Sequence, residues 1–104
     1  MDIENDIERT KRELEKLSDE KELIEYEIEE DKREIAENIR SLNDPFDPPS
    51  DHERNEIESQ INTRKENIDF CERRLREIEK EIRSHRNDLK DLKESLNDVK
   101  AAMR

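Results

Sequence analysis

Residues 43–53 read NDPFDPPSDHE, and all three prolines of the 104-residue chain fall between 45 and 49, in a sequence without glycine. Pro45 disfavours helix at Asp44, so a helix arriving from the N-terminal side stops near Asn43. Pro48 and Pro49 keep the following residues extended. Ser50 and Glu53 then have the S-x-x-E spacing of a capping box, with the serine hydroxyl accepting from the Glu53 amide and the Glu53 carboxylate from the Ser50 amide. A connection of about seven residues suits two adjacent antiparallel helices. The stretch is the tip of a helical hairpin.

Hydrophobic spacing on either side agrees. Alternate steps of four and three from Ile57 visit Ile57, Ile61, Arg64, Ile68, Cys71, Leu75, Ile78, Ile82, His85, Leu89, Leu92, Leu96, Val99 and Met103; twelve of these fourteen positions are apolar or cysteine. A heptad seam of that length separates a coiled coil from a disordered acidic chain. Residues 1–43 repeat the pattern through Ile3, Ile7, Thr10, Leu14, Leu17, Lys21, Ile24 and Ile28, then meet Asp31, Ile35, Asn38 and Leu42. A step of four to Lys32, followed by Ile35, Ile39 and Leu42, fits as well, and such a stutter predicts looser packing around residues 29–34. The fold class is therefore all-α: an antiparallel two-helix coiled-coil hairpin, expected to self-associate, with helices over 2–43 and 51–103 and a turn at 44–50.

Composition bounds the alternatives. Apolar residues make up 28% of the chain, aromatics 3% and charged residues 51%, too little apolar material for a globular core of ordinary proportions. No apolar run approaches the ~20 residues of a membrane span, and the start, MDIENDIERT, is acidic with no apolar signal core. One cysteine permits no internal disulfide. A soluble cytoplasmic protein without a membrane partner is expected. The net charge of −11 is concentrated in residues 1–43, which carry 16 acids against 8 bases. Phosphate is repelled there, which argues against direct nucleic-acid binding.

Antiparallel pairing requires facing residue numbers with a constant sum, and the heptad phases allow sums near 92 or 99. The first register pairs Lys11 with Glu79, Glu25 with Lys65 and Lys32 with Glu58; the second sets Lys11 against Arg86, Glu25 against Glu72 and Lys32 against Lys65. Charge therefore favours 92. In that register residues beyond about 91 overhang the first helix, and Leu92, Leu96, Val99 and Met103 form an unpartnered stripe through which a homodimer is expected. Leu23, Tyr26 and Phe70 should then form a small apolar patch halfway along the hairpin, a candidate surface for a protein partner.

Thr10 and His85, and likewise Asp31 and Arg64, are polar intrusions within about a turn of each other across the seam, expected to fix register at some cost in stability. His85 as a pH switch is the sharper reading of the same residue. Cys71 at a seam position is expected to be a small buried apolar residue. His52 and His85 lie too far apart for a shared metal, and the prolines break the calcium-loop spacing of Asp44, Asp47 and Asp51, so no metal or cofactor is expected. Glu20, Glu27, Glu30, Glu34 and Glu37 form either a solvated helix face or a negative surface that docks on a basic groove.

Phe70-Cys71-Glu72, then Arg74, then Ile78-Glu79, resembles the descending helix in the coiled-coil hairpin of the Gre transcript-cleavage factors. The resemblance covers about ten residues, and the family's acidic tip motif does not align with residues 43–53. It implies a hairpin that inserts its tip into RNA polymerase. The residues themselves favour a non-enzymatic protein–protein interaction module, an adaptor, scaffold or assembly factor. The main alternative is an acidic decoy inhibitor that occupies the nucleic-acid groove of another protein, as phage decoys do.

Overall fold

The computed structural model describes residues 2–103 and is 91% helical. Helix α1 runs Asp2–Leu42 and α2 runs Asp51–Ala102, giving the all-α helical hairpin. The tip follows the expected chemistry with one change of partner. The Glu53 amide donates to Ser50 Oγ at 3.2 Å, but the Glu53 carboxylate accepts from the Ser50 hydroxyl at 3.1 Å instead of from the Ser50 amide. On the other side Asp44 Oδ1 accepts from the amides of Phe46 at 2.9 Å and Asp47 at 3.3 Å, closing the turn that Pro45 begins.

Packing divides the chain into two units, Met1–Glu22 with Arg76–Arg104, and Leu23–Leu75. In the Leu23–Leu75 unit the core is Ile28, Ile61 and Cys71. Its register is set by bonds across the seam. Asn67 Nδ2 donates to Asp31, Arg64 Nη2 lies 3.9 Å from Glu34, and Cys71 Sγ lies 3.7 Å from Glu27. Each of these pairs sums to 98. The Asp31–Arg64 contact alone fits either register, because it falls midway. The bonds to Asn67 and Cys71 do not: in the 92 register each would be about six residues, or ~9 Å, out of reach.

The hairpin is therefore in the 99 register, not the one the charges favour. Leu42 then lies level with Ile57, and α2 begins about a turn and a half beyond it. Residues 43–50 cover that offset easily, at up to ~3.3 Å of chain per residue.

The other unit has Ile7, Leu17, Ile78 and Ile82 as its core, with Ile78 fully buried. Lys21 shares a surface hollow with Glu79, Ile82, Arg83 and Arg86, which agrees with the same register. Magnitudes explain the choice. The shift by one heptad brings Leu92 and Leu96 of α2 into the paired length, level with Ile7 and Ile3, where the other register leaves both overhanging. A fully buried side chain of this kind contributes about 1.5–3 kcal/mol, whereas each flanking charge pair is worth a few tenths. Burial wins even when it is partial.

The disfavoured charges are also relieved along their own helices. Lys11 pairs with Glu8 at 3.9 Å, Lys16 with Glu13 at 3.6 Å and Lys32 with Glu29 at 3.9 Å, all three residues apart on α1.

The strict heptad also holds at the stutter. Asp31 turns inward, with its side chain only 14% exposed, while Lys32 stays outside. Asn38 takes the next inward position and Ile39, the residue the stutter would have buried, is 45% exposed.

Candidate functional site

Three features of the Leu23–Leu75 unit are candidates: a polar layer, a set of exposed apolar side chains, and the tip. The polar layer centres on Asp31. Its carboxylate accepts from Arg64 Nη1 at 3.2 Å and from Asn67 Nδ2. Arg64 reaches Glu34 with its second terminal nitrogen, and a shallow hollow lined by Asp31, Thr63, Arg64 and Asn67 opens beside it. Arg64 Nε and Asn38 Nδ2 are enclosed and meet no acceptor. Two orphaned donors beside an aliphatic seam cost stability, which fits a layer that specifies pairing.

Thr10 and His85, the other expected layer, do not form such a pair. The Thr10 hydroxyl donates at 2.8 Å to the carbonyl of Asp6, one turn back on its own helix, and His85 is half-buried. Cys71 is buried, as its seam position requires. Burial, then the charge of the nearby Glu27 carboxylate and its acceptance of the thiol proton, then Asp31, push the Cys71 thiol above its ordinary value. That environment disfavours a nucleophilic thiolate.

The expected dimer stripe changes character with the register. Leu92, Leu96 and Val99 are half-buried, and only Met103, 81% exposed, stands out as the overhang reading required. Leu92 and Leu96 are level with Ile7 and Ile3 and so belong to the stem. The patch of Leu23, Tyr26 and Phe70 changes too. Each is about two-thirds exposed, but the shift by a heptad sets Phe70 level with Glu30 instead of Leu23, ~10 Å along the helix.

The acidic candidates are partly engaged inside the chain. Glu27 accepts from Cys71, Glu30 pairs with Arg33 at 2.6 Å, Glu34 approaches Arg64, and Glu20 also has a partner; Glu37 is exposed. Among the described residues no group of three or more His, Cys, Asp or Glu is placed to hold a metal ion, and no helix is long and apolar enough to cross a membrane.

One residue of this unit gives no signal in the seam pattern: Phe46, which lies in the turn outside it. It is 95% exposed.

Compared with protein families, with curated proteins and with solved structures, the chain finds no match.

Proposed function

We propose that this protein is a non-enzymatic interaction module of the cytoplasm, an adaptor, scaffold or assembly factor that binds another protein through residues 23–75. One observation carries the reading. The chain has three aromatic residues, Tyr26, Phe46 and Phe70, and all are 64–95% exposed. A two-helix seam with little apolar material would gain from burying them, yet its core is made from aliphatic side chains and Cys71. Aromatic side chains are enriched where interfaces derive most of their energy, and here all three, with Leu23 and Ile39, belong to one unit.

The decoy reading has a separate support. Residues 23–75 carry 16 acids against 8 bases, a net of −8 out of −11 for the chain. Salt separates the two. Captured from the producing cells, a partner of the interaction module should stay bound as salt rises from 0.1 to ~0.5 M, where screening reaches within a few ångströms. It should be lost when Tyr26, Phe46 and Phe70 are replaced together by alanine. A partner lost to salt and retained by the alanine variant identifies a decoy instead.

A further inference from the structure

We propose that Phe46 is a pre-organised anchor that the hairpin tip inserts into an apolar pocket, rimmed by lysine or arginine, on a partner protein. This rests on the interaction-module reading and assigns its contact point. Among the described residues Phe46 is the most exposed of the large apolar side chains, at 95%. An aromatic ring on a mobile loop would lose much of its binding energy to ordering. Here the backbone that carries the ring is already held. Pro45 fixes the backbone immediately before it, Asp44 Oδ1 accepts the amides of Phe46 and Asp47, and Pro48 and Pro49 stiffen the exit towards the capped start of α2.

The surroundings define the pocket that would receive it. Residues 43–53 hold four carboxylates, Asp44, Asp47, Asp51 and Glu53, and no lysine or arginine. The Asp44 and Glu53 carboxylates are occupied in the turn and the cap, and Asp47 and Asp51 are exposed. Ile39, 45% exposed, and Pro45 line a shallow hollow on the N-terminal side of the turn together with Arg40, Ser41, Asn43 and Asp44. A complementary surface has an apolar pocket at its centre and positive charge at its edge.

A photo-crosslinking amino acid is placed at position 46, 26 or 70, one at a time, in the full chain inside the producing cells. Each captured protein is purified and titrated against the unmodified chain by calorimetry. The proposal expects an adduct from position 46. Phe46→Ala should weaken binding of that protein about 30-fold or more, the scale of an interfacial hot spot. Phe46→Trp should retain most of the affinity, and the helical signal should stay unchanged in both variants. Asp44→Ala, which removes the turn's acceptor, should weaken it about 3- to 10-fold by releasing the ring. Adducts from 26 or 70 without one from 46 overturn the anchor and leave the interaction module standing. Affinity unchanged by Phe46→Ala, or an adduct that proves to be a second copy of this chain, also overturns it. No adduct from any of the three positions overturns both the anchor and the reading on which it rests.

Discussion

The Cys71 thiol donates to the Glu27 carboxylate across the seam, Sγ to Oε2 at 3.7 Å, so the chain's only cysteine faces a negative charge in a buried position. Both effects oppose the thiolate. Folded protein should react with a disulfide reagent at neutral pH at least about tenfold more slowly than the same protein in denaturant, a rate followed by absorbance.

The same contact fixes a pH dependence. A thiol whose folded value lies above its unfolded one binds its proton more tightly when folded. The stability it contributes is complete below the unfolded thiol value and is lost as pH rises through the folded one. Urea midpoints should therefore fall in the alkaline range more steeply for the natural chain than for Cys71→Val. Parallel curves would show that the thiol does not titrate with folding.

Asp31 is the more deeply enclosed member of its ion pair, at 14% side-chain exposure against 35% for Arg64. Arg64→Leu should cost about 1–3 kcal/mol, because it strands a carboxylate that keeps only Asn67 as a donor. Asp31→Leu should cost less, since Arg64 retains Glu34 and reaches water. Denaturant titration of both variants measures the order, and the reverse order would mean that the arginine is the constrained partner.

Asn38 buries an amide nitrogen with no acceptor in a position the heptad reserves for an apolar side chain. Asn38→Leu should raise stability by about 1–2 kcal/mol, removing an unsatisfied group and filling the seam with comparable volume. A destabilised variant would indicate that the amide finds water there.

Register can be measured directly. In a Cys71→Ala background, spin labels at 11 and 86 should lie closer together than labels at 11 and 79, since 79 is seven residues, ~10 Å, further along the helix. A shorter 11–79 distance would restore the charge-matched register.

The existence, number and direction of the helices were legible because each depends on a strong local term: prolines that cannot continue a helix, a serine cap, and a long apolar repeat. The register was not. Its two candidates share every apolar phase, and the visible difference between them, three flanking pairs such as Lys11 with Glu79 or Arg86, is worth tenths of a kcal/mol each. The deciding difference, whether Leu92 and Leu96 lie level with the first helix or overhang it, is a matter of how much of the seam is covered and is invisible when pairs are compared one by one. Asp31 and Arg64 were paired correctly because their contact survives either choice. Asn38 and Ile39 were undecidable from spacing, since both phases pass through Ile35 and Leu42. Nothing in the seam pattern could flag Phe46, which lies outside it.

Keeping every aromatic ring out of the core leaves the fold optically silent. The chain has no tryptophan, and its one tyrosine, Tyr26, is 64% exposed. Melting the helices hardly changes the solvent around that phenol, so its emission should show no cooperative transition on heating or in denaturant, and circular dichroism must report folding. A partner that covers this face would dim or shift the same emission without touching the helical signal. Folding and occupancy are thus read in separate channels, the helical backbone for the first and Tyr26 for the second.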